Sequence, residues 1–371
     1  MKVSCLQENL NRGLAIVGRA VATRATLPVL SNVMLATDQS RLKLSATNLE
    51  ISINCWIGAK VEKEGAITVP GRLITDFISS LPPEQVDMEL IGATQTMNLK
   101  CARVQANIKG IDAQEFPLIP SFTGDYHITL GSNLLKDMIR QVTLAAATDE
   151  ARPVMTGVLT KIGDSTLTMA AADGFRLSVR TTTLESPPLE SLSIIIPART
   201  LNELNRISGD EEQPIELTVT PQHNQVLFHL PDIDLISQLI EGTYPAYEQI
   251  MPKGYTTQTL VDTSRFLHAI RVAAIFARDA ANLLRLKITS GKVTVMAATA
   301  EIGDNVEDLD AVVTGKDIEI AFNARYLMDV LEVISTEQVV LETTTPTSPG
   351  VIKGVGFEDF THIVMPMHIA R

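Results

Sequence analysis

Two hydrophobic spacings alternate along the chain and predict its helices and strands. In residues 7–19 the apolar positions recur every three or four residues, which predicts an amphipathic helix. In residues 41–46 apolar and polar positions alternate after the turn-like Asp38-Gln39-Ser40, which predicts a strand. Over the first third of the chain, the order of one strand, one helix and three strands occurs twice. Strands are predicted at 1–6, 31–37, 41–46, 50–57, 66–70, 86–91, 96–101 and 103–109.

Three sets of similar segments recur along the chain in the same order. The first set is LSATNLEISIN, MAAADGFRLSV and VMAATAEIGDN, in which Asn48, Asp173 and Thr299 are 125 and 126 residues apart. The second set is AITVPGRLITDFISSLP, SIIIPARTLNELNRIS and IEIAFNARYLMDVLEVI, and the third is GIDAQEFPLIP, LIEGTYPAYEQIMP and GVGFEDFTHIVMP. Three sets with one common period predict three tandem repeats.

The period is too long for a solenoid, so each repeat is expected to have its own core. Two helices would cover one face of the strands in each repeat, which is an α+β arrangement. The predicted fold is therefore α+β, with three tandem domains that each contain two βαβββ units. We expect the domains to span residues 1–125, 126–253 and 254–371.

Composition excludes several classes of protein. The chain is 45% apolar and 20% charged, which is typical of a soluble protein, and only 4% aromatic, which argues against base stacking as its main activity. Its three cysteines, at 5, 55 and 101, form no CxxC pair, so we expect neither a zinc ribbon nor disulfides. Without a signal-like N-terminus or a run of about 20 apolar residues, a cytoplasmic location is expected.

Positive charge is concentrated on the predicted helices of an acidic chain. The chain has 31 basic and 43 acidic residues and a net charge of −12. The six predicted helices, at 7–19, 71–80, 133–146, 198–208, 263–278 and 324–334, nevertheless carry 11 basic and six acidic residues. The charge on any single helix could be explained by an ordinary solvated face whose charges form ion pairs. A basic layer shared by three repeats instead favours contact with a polyanion through its backbone.

A ring of such repeats would need two chains to surround duplex DNA. Twelve helices side by side at about 10 Å each would leave an opening of about 28 Å. That opening would accommodate a hydrated duplex, whereas six helices would leave only about 9 Å.

The sequence resembles the β-subunit (sliding-clamp) family of bacterial DNA polymerase III over its whole length. The motifs that carry the resemblance are RATLPVLSNV from Arg24, AADGFRLSV from Ala171, Phe116-Pro117, TYPAYEQIMP from Thr243 and the closing IVMPMHIAR. The resemblance implies a head-to-tail homodimeric ring that encloses duplex DNA, without sequence preference, and tethers polymerase. It implies no catalytic activity and no cofactor or metal. The implied partners are the DNA polymerase III catalytic subunit, the clamp loader, and other polymerases and repair proteins that bind through short peptides.

The resemblance and the charge pattern together suggest a DNA-facing set of arginines. Arg24 matches a pore-facing arginine of the family, and the other candidates are Arg72, Arg152, Arg199, Arg206, Arg271 and Arg325. Each of them alone could be an ordinary solvated surface arginine. The acids Asp149 and Glu150 weaken the case for a DNA contact by the loop that contains Arg152.

The resemblance also implies a partner-peptide cleft between the second and third repeats. Its apolar methionines and prolines suit an adaptable groove for short peptides, although Leu177 and Ile363 could equally be core residues. The matching positions are Met155, Ala172, Gly174, Phe175, Arg176, Leu177, Pro245, Ile250, Asn323, Tyr326, Ile363, Met365, Pro366 and Met367.

Ile275 and Phe276 match the dimer joint of the family and are expected to face the edge strand 103–109 of a second chain. Two other functions are less consistent with the sequence than a clamp. A hydrolase is disfavoured because the sequence contains no GxSxG motif, P-loop or metal-ligand spacing. A peptide-binding scaffold of α+β repeats without a DNA role is the alternative, and the basic helices argue against it.

Overall fold

The computed structural model describes residues 1–24, 27–120, 126–184, 190–209, 212–299, 301 and 303–368. These residues contain six α-helices. They are α1 (Gln7–Val17), α2 (Gly71–Ser79), α3 (Ser132–Thr143), α4 (Ala198–Ile207), α5 (Thr263–Ala277) and α6 (Ala324–Leu331). Each begins within one residue of its predicted start and ends one to three residues before its predicted end.

The strands follow the predicted order in each repeat. The first repeat contains β1 (Lys2–Leu6), β2 (Asn32–Asp38), β3 (Arg41–Thr47), β4 (Ile51–Gly58), β5 (Lys60–Lys63), β6 (Ala66–Pro70), β7 (Gln85–Ile91), β8 (Thr96–Cys101) and β9 (Val104–Lys109). The second contains β10 (Tyr126–Gly131), β11 (Gly157–Gly163), β12 (Thr166–Ala172), β13 (Arg176–Thr183), β14 (Leu192–Pro197), β15 (Pro214–Val219), β16 (Gln225–Leu230) and β17 (Ile233–Gln238). The third contains β18 (Thr257–Asp262), β19 (Leu283–Thr289), β20 (Lys292–Thr299), β21 (Gly303–Asp310), β22 (Val312–Gly315), β23 (Ile318–Asn323), β24 (Gln338–Thr343), β25 (Gly350–Gly354) and β26 (Phe357–Val364).

Each repeat therefore consists of two βαβββ units, with a short additional strand in the first and third repeats. The α+β class and the tandem repeat of one domain are confirmed. Strand β5 was not predicted, because the sequence KVEK lacks the alternation that identifies a half-buried strand. It is an edge strand beside β1, and Lys2 Nζ lies 2.7 Å from Glu62 Oε2 across this pair.

The described residues fall into two compact units. The first unit comprises Met1–Asn133 with Glu203–Leu239. It contains a five-stranded sheet of order β5-β1-β7-β8-β9 and an eight-stranded sheet of order β10-β15-β16-β17-β4-β3-β2-β6. Helix α1 packs on β3, β4 and α2, and it buries Leu10, Leu14 and Val17 completely. The apolar residues whose spacing predicted this helix therefore form its core-facing side.

The second unit comprises Leu134–Asn202 with Ile240–Arg371. It contains a nine-stranded sheet of order β14-β11-β12-β13-β26-β25-β24-β18-β22 and a four-stranded sheet of order β21-β20-β19-β23. Helices α5 and α6 pack together over a core that includes Phe266, Phe322 and Phe360.

Strands from consecutive repeats pair with each other in both units. In the first unit β17 pairs antiparallel with β4, so that Leu235 lies opposite Ile53. In the second unit β26 pairs antiparallel with β13, so that Ile363 lies opposite Leu177. The middle repeat consequently contributes β10 and β15–β17 to the first unit and β11–β14 to the second.

The predicted domain boundary at 125 lies outside the described residues. The three cysteines are free and buried. In the portions of the chain that the structure describes, no cluster of His, Cys, Asp and Glu could hold a metal ion, and no helix is long and apolar enough to span a bilayer.

Candidate functional site

The floor of the predicted peptide cleft is a small apolar cluster within the second unit. Leu177 on β13 and Ile363 on β26 lie opposite each other, and their exposed fractions are only 1% and 2%. Ala172 and the partly buried Met155 pack into the same cluster. Leu177 and Ile363 are thus core residues that also form the base of the site.

Two tyrosines that sequence analysis did not select attach the loop at 244–250 to this floor. Tyr244 Oη accepts a hydrogen bond of 2.9 Å from the Ala172 N–H, and burial raises the pKa of Tyr244 to about 12. Tyr247 is buried in the same cluster. Pro245, between the two tyrosines, and Ile250, three residues after the second, are exposed. Both tyrosines lie in the TYPAYEQIMP motif, which was the available signal for them.

A tight turn presents Phe175 at the rim of the cleft. The Oδ1 atom of Asp173 accepts hydrogen bonds from the Phe175 N–H at 2.8 Å and from the Arg176 N–H at 2.9 Å. Gly174 has a φ of +92°, in the left-handed region that favours glycine. The turn leaves Phe175 59% exposed, which is unusual for so large an apolar side chain.

The C-terminal segment forms the other side of the rim. The Met365 N–H donates to the Phe175 carbonyl at 2.8 Å, and the Met367 N–H donates to the Ala321 carbonyl at 2.8 Å. Met365 remains 40% exposed, whereas Pro366 and Met367 are partly buried. These backbone bonds attach the Met365–Met367 segment to the turn that precedes β13 and to β23.

Helix α6 supplies the remaining predicted cleft residues. Asn323 caps this helix, because its Oδ1 atom accepts a hydrogen bond of 2.9 Å from the Arg325 N–H. Tyr326, in the first turn of the helix, lies under the guanidinium of Arg176, with 4.4 Å between the guanidinium carbon and the ring centroid. All 14 predicted cleft residues lie in the second unit.

Arg176 is the most extensively paired residue of this region. Its Nε atom donates to Asp173 Oδ2 at 3.1 Å, and its Nη1 atom donates to Asp329 Oδ2 at 2.5 Å. Its side chain is only 13% exposed. Asp329 lies 153 residues from Arg176 in sequence, and no local pattern could have linked the two.

Arg152, which is predicted to face DNA, contacts Asp173 and the predicted cleft residue Met155. Its Nη1 atom donates to the Asp173 carbonyl at 2.9 Å and lies 3.7 Å from Met155 Sδ. Its Nε atom is 3.7 Å from Asp149, one of the acids that weakened the case for this loop.

Three other predicted DNA-facing arginines occupy one repeated position. Arg72, Arg199 and Arg325 are each the second residue of a helix, namely α2, α4 and α6, and all three are exposed. Arg72 is 96% exposed and lies 3.8 Å from Asp76. Among the described residues, Arg199 and Arg325 have no acidic side chain within ion-pair distance. A cation in the first turn of a helix opposes the helix dipole, so helix stability does not account for these arginines.

The remaining predicted arginines differ in their pairing. Arg206 Nη1 lies 2.7 Å from Glu203, which also contacts Arg19 at 3.1 Å. Arg271 Nη2 lies 2.7 Å from Glu332. Arg24 is exposed after the short 3₁₀ turn that follows α1. The charge on Arg206 and Arg271 is therefore partly neutralised.

The residues predicted for the dimer joint lie near the end of α5. Ile275 is 61% exposed, whereas Phe276 packs partly against the core. The predicted counterpart, β9, is an edge strand of the five-stranded sheet.

Comparisons with known proteins agree with the repeat structure. Family models of the DNA polymerase III beta subunit match as an N-terminal domain at 1–120, a central domain at 129–246 and a C-terminal domain at 248–368. The beta sliding clamp of Synechococcus elongatus is 32% identical over 375 residues, which cover 100% of both chains.

Two solved structures share the fold over their full length. The DNA polymerase sliding clamp from Bacillus subtilis has a TM-score of 0.95 and 27% identity, with 100% of both chains covered. The sliding clamp of Pseudomonas aeruginosa bound to griselimycin has a TM-score of 0.94 and 27% identity, also with 100% of both chains covered.

The repeated α+β domain and the full-length likeness define a three-domain clamp protein. The chain belongs to the DNA polymerase III beta subunit family, and its function is that of a DNA sliding clamp.

Proposed function

We propose that two copies of the chain form a closed ring around duplex DNA and tether the replicative polymerase to it. The observation that carries this proposal is the separation of charge between helices and the rest of the chain. Within the bounds given above, the six helices carry nine basic and five acidic residues, although the chain has a net charge of −12. Contacts to phosphates from such a layer carry no sequence information, as a sliding protein requires.

The repeated position of Arg72, Arg199 and Arg325 supports a DNA-facing role for the helices. A helix N-terminus attracts anions, and an exposed arginine there adds a forked donor for phosphate. Arg24 would add a further contact to DNA. Arg206 and Arg271 would bind phosphate more weakly, because each already contacts a carboxylate. We assign Arg152 to the peptide cleft and not to the DNA-facing set, because its contacts are with Asp173 and Met155.

We further propose that partners dock in the apolar cleft rimmed by Phe175, Ile250 and Met365. The proposed partners are the DNA polymerase III catalytic subunit, the clamp loader, and other polymerases and repair proteins with short clamp-binding peptides. The exposure of these three large apolar side chains supports this role, and the backbone bond between Met365 and Phe175 places two of them side by side, because contiguous exposed apolar groups mark interaction sites. The griselimycin complex of the Pseudomonas aeruginosa clamp fits a clamp that accepts small ligands.

The remaining parts of the proposal follow from the clamp function. The chain acts without catalytic activity of its own. It raises the processivity of the polymerase because a closed ring cannot leave the DNA that it encloses. The predicted domains 1–125, 126–253 and 254–371 are proposed as the three clamp domains of each protomer. Ile275 and Phe276 are proposed to meet β9 of a second copy. We place the protein in the cytoplasm, where a bacterial polymerase meets its template.

One experiment distinguishes a ring from a scaffold without a DNA role. The protein is loaded by its clamp loader onto nicked circular DNA, and half of the sample is then linearised with a restriction enzyme. A ring should remain on the circle through gel filtration in high salt and should be lost from the linear DNA. Equal retention on both, or retention on neither, would contradict the proposal.

A further inference from the structure

Arg176 is held from three sides by described residues of the second unit. The carboxylates of Asp173 and Asp329 accept from Nε and Nη1, at 3.1 and 2.5 Å. The ring of Tyr326 covers one face of the guanidinium, with 4.4 Å between the guanidinium carbon and the ring centroid. Tyr326 and Asp329 are both on α6, whereas Arg176 begins β13. The arginine therefore connects the strand that carries the cleft floor to the helix that forms its side.

The local charge around Arg176 does not suit it to bind an acidic peptide residue. Two carboxylates face one guanidinium, so the group of three side chains has a net charge of −1. Arg176 is 13% exposed, Asp173 12% and Asp329 32%. A further carboxylate from a peptide would meet this negative pair and would gain little from a cation that is already hydrogen-bonded.

Asp329 is the member of this group whose role depends on tertiary structure. Asp173 lies three residues from Arg176 and also bonds the backbone of its own turn. Asp329 has no such local contact and reaches Arg176 only through the fold. Removal of its carboxylate would leave the turn intact, free one arm of the guanidinium and loosen the connection to α6.

We infer that Asp329 is a positioning residue of the peptide cleft, which fixes Arg176 against Tyr326 and prevents it from acting as a cation for the peptide. The inference rests on the proposed peptide-binding function. It adds that apolar contacts and backbone hydrogen bonds, and not a salt bridge to Arg176, select the partner peptides. It also identifies α6 as the element that sets the cleft geometry.

The test uses peptides in which a Gln is followed by bulky apolar residues, the pattern that the family resemblance implies. Two fluorescent pentapeptides, Gln-Leu-Ala-Leu-Phe and Gln-Leu-Asp-Leu-Phe, are compared by anisotropy on the full chain. The wild-type protein should bind both within about twofold of each other, at low and at high salt, because Arg176 is already neutralised. The variant Asp329→Asn should bind the alanine peptide about tenfold more weakly, which is the effect of one lost charged hydrogen bond. Its relative affinity for the aspartate peptide should rise about threefold at low salt, and this rise should disappear in high salt.

Two further variants separate positioning from a general loss of structure or charge. Asp329→Glu keeps the carboxylate and should recover most of the affinity and the wild-type peptide ratio. Glu358→Gln removes one exposed negative charge from β26 and should leave both affinities unchanged. Thermal melting of each variant establishes that it is folded. A structural defect alone would weaken both peptides equally and would not alter their ratio.

The outcomes have distinct meanings. Wild-type affinity for both peptides, together with an unchanged ratio in a folded Asp329→Asn protein, would overturn the inference while the proposed cleft stands. A wild-type preference of more than threefold for the aspartate peptide at low salt would overturn it without reference to any variant. If the wild-type protein binds neither peptide, the proposed cleft itself is wrong and the inference fails with it.

Discussion

The backbone N–H of Met365 donates a hydrogen bond of 2.8 Å to the carbonyl oxygen of Phe175. This bond places two exposed apolar side chains from distant parts of the sequence on one rim. It extends the pairing of β26 with β13 past the end of the strand, since Val364 already lies opposite Arg176. The C-terminal segment is therefore a structural part of the proposed cleft.

Removal of residues 365–371 should abolish peptide binding without affecting the ring. The deletion eliminates the Met365 rim and the bond between Met367 and Ala321, while all six helices are kept. Residues 369–371 lie outside the described structure, so a control that lacks only these three separates the rim from the extreme tail. Peptide anisotropy and sedimentation check the two functions. Normal binding of polymerase peptides by the longer deletion would show that the cleft is elsewhere.

Loss of Arg199 or Arg325 should weaken DNA binding equally for all sequences and reduce its salt dependence. Each substitution to Ala is present twice in a dimer, so the slope of log affinity against log salt should fall by up to about two. Arg271→Ala should have a smaller effect, because Glu332 already lies 2.7 Å from this arginine. Titration of several duplex sequences over a salt series provides the measurement. A clear sequence preference, or a slope that the substitutions do not change, would argue against the DNA-facing assignment.

The double substitution of Ile275 and Phe276 by Ala should convert the dimer into a folded monomer. A few apolar anchors dominate most interfaces, and Ile275 is 61% exposed in the isolated chain. Val312→Ala is the matched control, because Val312 is 63% exposed on the edge strand β22. Sedimentation velocity distinguishes the two states, and circular dichroism establishes folding. A persistent dimer in the double variant would place the joint at other residues.

The buried His362 should make the protein less stable as the pH falls below neutrality. Burial lowers the pKa of His362 to about 3, and its Nδ1 atom lies 2.7 Å from Ser178 Oγ. Between the unfolded value of 6.5 and this lower value, only the unfolded chain takes up the proton. Stability is therefore complete above pH 6.5 and is lost toward pH 3, by up to about 1.4 kcal/mol for each pH unit.

A non-titrating replacement isolates this contribution from that of the carboxylates. His362→Gln should show a shallower fall of melting temperature from pH 7 to pH 4.5 than the wild-type protein. His223→Gln, at an exposed histidine, is the control and should follow the wild-type curve. Parallel curves for His362→Gln and wild type would mean that His362 does not carry the effect.

Local sequence patterns were sufficient for the helices and most strands but not for their pairing. Helix starts could be predicted because each follows a strand directly and shows its apolar spacing at once. Helix ends were predicted too late, as in α3, which ends at Thr143. There Thr143 Oγ1 bonds to the Ile139 carbonyl and to Asn202, 59 residues away, and neither contact has a sequence signal.

In the candidate site, too, local motifs could be predicted from the sequence and tertiary contacts could not. The rim residues Phe175 and Met365 could be predicted from the resemblance, because they lie in contiguous motifs. The ion pair of Arg176 with Asp329 and that of Arg271 with Glu332 could not, since tertiary packing brings those partners together. Arg152 is a predicted DNA-facing residue, and its contact with the Asp173 carbonyl had no sequence signal.

The pairing of β17 with β4 means that the first repeat does not form a closed structural unit by itself. A fragment cut after the first repeat would retain β4 but lose the strand that covers its edge. Its backbone N–H and C=O groups from Ile51 to Cys55 would then be open to any other strand. Such a fragment is expected to self-associate through this edge and to aggregate on refolding, which would make the intact chain the smallest piece suited to recombinant production.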